Sequence, residues 1–322
     1  MLRGLNDGGV PASRSSWLPV AAAGVTMILW ASAFIAIRTV GVHYSPGAMA
    51  AGRLLVGTAA LGLVAAFRGR VRWPRGRSLA LVIGYGVLWF GVYAVLINAA
   101  ERHLDAGTTA LIINVGPILI AVLAGLFLHE GFPRSLVTGL AIAFAGVATI
   151  AIATSTGRRD GAGVLLALGA AGLYAVGVLL QKQALRDVDP FTATWLGCTA
   201  GAVVCLPFLP ALGHEIVRAP WTATAGIVYM GLFPTAIAFA TWSYALAHTT
   251  AGRLSSSSYL VPMLAVLLSW LLLGEVPVPL ALVGGALCLV GVAVARIPSR
   301  KPAPVAPPLP PLARTPVDAT TG

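Results

Sequence analysis

The chain has 322 residues, of which 58% are apolar and only 10% charged, where a soluble domain carries roughly a quarter charged residues. So few charges cannot coat a soluble globule of this size, which leaves a protein whose outer face meets lipid. The net charge of +11 would suit nucleic acid if it were interleaved with stacking aromatics, but only Trp73 accompanies the basic run 68–77, so no nucleic-acid partner is expected.

A helix that spans a bilayer needs about 20 mainly apolar residues, and such runs follow one another along the chain at 18–38, 45–67, 79–100, 108–128, 135–154, 161–183, 191–211, 222–246, 255–273 and 277–296. They lack the alternation of barrel strands. The expected fold is therefore an all-α integral membrane protein with ten transmembrane helices. Residues 1–17 form a polar tail with little basic character, and the apolar run after it is too long for a cleaved leader, so the first helix is expected to be retained. Residues 298–322 are rich in proline and hold too little apolar mass to fold, so a disordered tail is expected there. Cys198, Cys205 and Cys288 all fall inside apolar runs and are expected to pack, not to pair or bind metal.

Numbering the loops alternately gathers fifteen of the 21 Lys and Arg on one side and five on the other, with Arg53 inside a helix. The richer side is cytoplasmic by the positive-inside rule, which puts both termini in the cytoplasm and the protein in the cytoplasmic (inner) membrane, among its lipids.

The stretches GPILIAVLAGLFLHE from Gly116 and VPMLAVLLSWLLLGE from Val261 are near copies. Pro117 and Pro262, Glu130 and Glu275, Gly139 and Gly284, Gly146 and Gly291, and Gly86 and Gly231 are each 145 apart. Toward the N-terminus the offset becomes 144, matching Trp30 to Tyr174, Arg38 to Lys182 and Pro46 to Pro190. One unit is used twice, at 18–154 and 161–297. Each copy holds five helices, and because five is odd the second enters the membrane from the opposite face. Two inverted five-helix repeats are a hallmark of secondary transporters, with the substrate near the midplane between the halves.

Two such halves, LWASAFIAIR opening the first, Arg53 in the second helix and a fourth helix running from Pro to Glu together resemble the EamA group of the drug/metabolite transporter superfamily. That resemblance implies an inner-membrane carrier, usually an exporter of amino acids, related metabolites or toxic compounds. It also implies that the first, third, sixth and eighth helices surround the cavity. This sequence departs from the pattern at His129-Glu130, where Gly-Glu is usual, and at Gly197, which answers Arg53 in the second half.

Several residues are candidates for the substrate site. Trp30 with Phe34, Trp89 with Tyr93, Tyr174, and Phe239 with Trp242 recur at helical spacing and would wall a cavity for an amphipathic compound; their alternative is core packing or interface anchoring. Gln181 could add polarity on the face of Tyr174. Arg53 could grip a substrate carboxylate through two hydrogen bonds, or snorkel to a headgroup. Asn114 precedes Pro117 by about one turn, as Ser258 and Tyr259 precede Pro262, and polar groups in hydrocarbon need a partner helix, water or a substrate. Pro117 and Pro262 are expected to kink their helices and to serve as hinges or as packing kinks. Glu130 and Glu275 lie where apolar runs stop and should cap a helix or pair with an arginine. No aspartate or glutamate falls in the middle third of any helix; Glu101, at a helix end, is the nearest thing to a proton relay, so a proton partner has no strong candidate and exchange with a counter-substrate or simple facilitated flow fits as well.

There is no GxxxxGK[ST], GxSxG or HExxH, and no cofactor is called for. An intramembrane enzyme, such as a lipid-linked group transferase using Asp187-Val188-Asp189, is the rival reading; that acidic pair is better placed as a turn before Pro190.

Overall fold

The computed structural model describes residues 17–68, 73–127, 134–154, 160–249, 254, 257–258, 260–275 and 277–295, and every regular element among them is helical. In chain order these are α1 (Trp17–Val40), α2 (Pro46–Arg68), α3 (Gly76–Ala100), α4 (Ala106–Ile113), α5 (Gly116–Phe127) and α6 (Arg134–Thr154). The second half holds α7 (Asp160–Ala184), α8 (Pro190–Val204), α9 (Leu209–Arg218), α10 (Trp221–His248), α11 (Leu260–Leu273) and α12 (Pro279–Ala295). The expected tails, together with Glu130, Tyr259 and the loop 155–159, lie outside the described residues.

Five helices, α1, α2, α3, α7 and α10, are long and apolar enough to cross a membrane, and α8 with α9 makes a sixth if that pair is one span bent by 51°. The remaining apolar helices are shorter, at Ala106–Ile120, Val137–Thr149, Leu260–Leu273 and Pro279–Gly291. Large apolar side chains stand on the outside, among them Ile28, Phe67, Leu165, Leu271 and Leu272, as a lipid-facing surface requires and a water-facing one would penalise.

Local chemistry fixes where these helices begin. Asp105 accepts from Thr108 N (2.8 Å) to cap α4, and Asp189 accepts from Thr192 N (3.0 Å) to cap α8, with Pro190 in its first turn. Asp187 accepts from Ser78 Oγ at 2.9 Å. The Asp187-Val188-Asp189 turn is thus occupied in tying α3 and α8 together. Glu215 on α9 accepts from both Ser45 N (2.9 Å) and Ser45 Oγ (3.2 Å), a carboxylate at the positive end of α2.

Three expectations need correcting. The seventh apolar run does not continue to 211: Pro207 and Pro210 cannot sustain the ladder, so α8 ends at Val204 and the chain turns through Leu206–Phe208 into α9. The fourth run is broken at Asn114–Val115. Pro117 and Pro262 do not kink a helix from within, because each lies in the first turn of its helix, α5 or α11, where no ladder bond is lost. Asn114 Nδ2 donates at 3.0 Å to the carbonyl of Ser258, four residues before Pro262, so the break in one repeat is tied to the start of the matching helix in the other.

The repeat is visible as contacts. α6 packs along α12, and a methyl group added to Gly146 would stand 2.7 Å from Cys288 N and 2.5 Å from Gly284 O. One added to Gly291 would stand 2.6 Å from Gly139 O. Gly146 therefore meets the counterpart of Gly139, and Gly291 meets Gly139 itself. Reciprocal contact of this kind requires the two equivalent helices to run antiparallel about a pseudo-two-fold axis. A second matched feature is the π-helical winding of Gly86–Val92 in α3 and Gly231–Ile237 in α10, seven residues each and 145 apart. Gly86 sits against the backbone of Gly197, and Gly231 against that of Arg53, again equivalent partners.

Candidate functional site

At the centre of the bundle is a narrow cavity of about 60 Å³, lined by α1, α2, α3, α4, α7, α10 and the start of α11. Trp30, Phe34, Arg53, Trp89, Tyr93, Asn114, Tyr174, Phe239 and Ser258 all contribute to its wall. The wall is mostly apolar, and among the described residues Arg53 is its single charged side chain.

The aromatic part is one continuous contact set. Trp30 lies 5.3 Å from Phe239 and 4.9 Å from Trp242 between ring centres, while Trp89 lies 5.0 Å from Phe239 and 5.2 Å from Tyr174. Tilted and edge-on pairs at these distances favour one another beyond the area they bury. Two of the candidates stand behind this wall. Trp242 is fully buried, and its Nε1 donates to Gln181 Oε1 at 3.1 Å; Gln181 Nε2 in turn donates to Ser243 Oγ at 2.8 Å. Ser243 and Thr194 share a further hydrogen bond at 2.6 Å. Gln181 and Trp242 therefore brace the wall from outside the cavity, and the satisfied polar chain fixes the indole in one orientation.

Arg53 is 7% exposed, so it does not reach a headgroup. Its Nε donates to Thr235 Oγ1 at 3.1 Å, in the π-helical part of α10. Of the five guanidinium donors that bond uses one. Two further polar atoms in the lining have no hydrogen-bond partner among the described residues: the donor Trp30 Nε1 and the acceptor Asn114 Oδ1. A buried donor, a buried acceptor and a cation beside an aromatic wall form a set that a small zwitterionic molecule could satisfy.

Beyond the cavity, the two ends of the bundle are pinned by equivalent cations. At one end Arg38 Nε bonds Glu275 Oε1 at 2.9 Å, and Arg38 Nη1 donates to the carbonyl of Glu101 at 3.0 Å. At the other, Lys182 Nζ donates to the carbonyls of Leu246 (2.6 Å) and Thr249 (2.7 Å). Leu246 is the counterpart of Glu101 at the offset of 145, as Lys182 is of Arg38 at 144. Glu275 thus pairs with an arginine, one of the two roles expected for it.

The lining also includes Ala33, Ile37, Ile97, Ala110, Ile113 and Val261, which sequence reasoning missed. The signal for some was present, because Ala33 and Ile37 share the helical face of Trp30 and Phe34, and Ile97 that of Tyr93. Tyr259 lies outside the described residues.

Helices wrapped around an enclosed cavity, with an apolar exterior and two matched halves, define a multi-pass membrane protein built by repetition. The comparisons with known proteins name the class: the chain belongs to the EamA-like transporter family, whose model matches residues 17–152 and again 161–297. It is 39% identical over 284 residues to the probable terminal-alkyne amino-acid exporter of Streptantibioticus cattleyicolor, covering 87% of this chain and 92% of that protein. It is 34% identical to an uncharacterised transporter of Bacillus subtilis, over 82% of this chain and 86% of the relative. It is 25% identical to the probable amino-acid metabolite efflux pump of Salmonella typhimurium, over 83% and 91%. A solved crystal structure shares the fold with a TM-score of 0.60 at 22% identity, over 88% of this chain and 98% of its own. With relatives that are transporters, the chain is a transporter and not an enzyme, and the group-transferase reading is set aside.

Proposed function

We propose that this transporter is a secondary carrier of the inner membrane that exports a small amphipathic metabolite, an amino acid or amino-acid derivative, or a drug of similar build, by alternating access to the central cavity. In this reading ten membrane crossings form two inverted five-helix halves with both termini in the cytoplasm. The substrate lies among Trp30, Phe34, Arg53, Trp89, Tyr93, Asn114, Tyr174, Phe239 and Ser258, with Gln181 and Trp242 bracing them and Tyr259 close by. Pro117 and Pro262 act as the hinges at which the halves rock.

The observation that carries this reading is a buried cation, the one charge in the lining among the described residues, facing an aromatic wall across the central cavity. A carboxylate at Arg53 supplies the charge that the cavity lacks, and an apolar side chain fills the space against Trp30, Trp89 and Phe239. The terminal-alkyne amino acid in the name of the Streptantibioticus relative has that build. Counterflow in proteoliposomes tests it, with a panel of amino acids, their amides and cationic drugs presented to the purified chain. Exchange of amphipathic amino acids is expected; exchange of none of the panel would end the proposal.

A further inference from the structure

The cavity leaves one buried acid without a task. Glu101 follows α3 directly, one turn beyond the cavity-lining Ile97, and is 3% exposed. Its backbone carbonyl accepts from Arg38, yet neither oxygen of its side chain has a hydrogen-bond partner among the described residues. A carboxylate removed from water and given no donor is strongly disfavoured, so a carboxyl in this place keeps its proton.

The charged groups around it come from four elements: Arg38 on α1, Arg53 on α2, Asp105 at the head of α4 and Glu275 after α11. Tyr93 lies two turns back on its own helix, and Arg102 and His103 follow it in the chain. Arg102 is turned away, donating to the carbonyl of Tyr44 at 2.8 Å, and Arg38 is held by Glu275. Burial is the largest influence and holds the Glu101 carboxyl well above the usual carboxylate range; Arg38 and Arg53 pull the other way, and Asp105 and Glu275 add to the rise.

We propose that Glu101 is a proton-binding group of the transport cycle, loaded at the end of the bundle closed by Arg38 and Glu275 and unloaded into the central cavity, so that a proton and the substrate move in opposite senses. An O–H bond forms on one Glu101 oxygen when the Arg38–Glu275 pair parts and water reaches the carboxylate. The proton stays there through the closed conformation. It passes to cavity water when the opposite end is open, leaving a carboxylate that Arg38 and Arg53 stabilise while Arg53 is free to take up substrate. The proposal rests on the carrier reading and adds the coupling that drives it.

The full chain is reconstituted in proteoliposomes holding a pH-sensitive dye, with L-phenylalanine and then the rest of the amino-acid panel as probes. One-for-one exchange moves no net proton and is expected to leave the lumen pH unchanged, whereas the wild type given substrate on one side alone is expected to change the lumen pH as the substrate crosses. Glu101→Gln is expected to lose the pH change, and Glu101→Asp to restore it with its pH dependence displaced. Net wild-type transport from a one-sided gradient without a pH change, or an undiminished pH change in Glu101→Gln, overturns the proton proposal and leaves the carrier reading standing, whereas absence of any counterflow overturns the carrier reading. A second measurement needs no variant to fold: the chain has four glutamates, Glu101, Glu130, Glu215 and Glu275, and labelling glutamate with carbon-13 marks their carbonyl bands in the infrared. A labelled carboxylic-acid band at neutral pH that vanishes in alkali is expected, and its absence at neutral pH overturns the proposal.

Discussion

Arg38 and Glu275 stand 237 residues apart in the chain and 2.9 Å apart in space, joining α1 of the first repeat to the end of α11 in the second. Both side chains are about a third exposed, at 37% and 29%, so the pair is worth only about 0–1 kcal/mol to the fold. Its position at one end of the bundle, beyond the cavity, matters more than that energy. Glu275→Gln or Arg38→Gln should leave thermal stability nearly unchanged and raise the labelling rate of a cysteine placed at Ile97. The charge-swapped double variant should bring labelling back toward the wild-type rate.

Arg53 supplies the cavity's charge, so its removal should discriminate between substrates. Arg53→Gln is expected to lower counterflow of carboxylate-bearing amino acids by about tenfold to a hundredfold, since a charge-assisted hydrogen bond contributes about 1.5–3 kcal/mol, and to spare their amides. Equal loss of both compound classes would count against a carboxylate contact.

Trp30 and Trp242 touch at 4.9 Å but should fail differently. Trp30→Ala opens the cavity wall and is expected to weaken substrate affinity with modest loss of stability. Trp242→Ala empties a fully buried site and releases Gln181, which should cost about 3–5 kcal/mol in stability and lower the yield of folded protein. Thermal midpoints in detergent beside substrate affinities in vesicles separate the two.

The α6–α12 contact has no room for a side chain. Gly146→Ala and Gly291→Ala each force a methyl group into backbone and should cost about 1–3 kcal/mol, with the double variant worse than either. Gly24→Ala, where a methyl group meets nothing within 4 Å, is the control and should be neutral in the same thermal assay.

What the sequence made legible follows from chemistry. Tryptophan, tyrosine and arginine are rare inside apolar helices, so Trp30, Trp89, Tyr174 and Arg53 could be singled out, and their spacing placed them on faces that the structure brings round one cavity. Ile97, Ile113 and Val261 share that wall, but an isoleucine facing a cavity is written no differently from one facing lipid. The π-helical turns at Gly86–Val92 and Gly231–Ile237 were hidden for another reason. They replace one helical ladder with another and need no marker residue. The bend before α9 was readable, since Pro207 and Pro210 stand inside the apolar run, but hydropathy alone carried the helix through them. Glu101 reads as the nearest thing to a relay at a helix end; that its side chain is buried, with no hydrogen-bond partner among the described residues, depends on α1, α4 and the end of α11 closing over it.

The crossed contacts Gly146 with Gly284 and Gly291 with Gly139 have a consequence for the first half taken by itself. A strip on which one glycine meets its counterpart's neighbour is the strip that two identical subunits make about a dyad. Residues 18–154 alone would thus carry both sides of their own docking surface, and a five-helix fragment expressed without the second half should seek another copy of itself. The covalent link between the halves then does what concentration must do for such a pair: it keeps the partner present and lets equivalent positions drift apart in charge, arginine in the cavity wall at Arg53 and glycine packed against Tyr85 at Gly197.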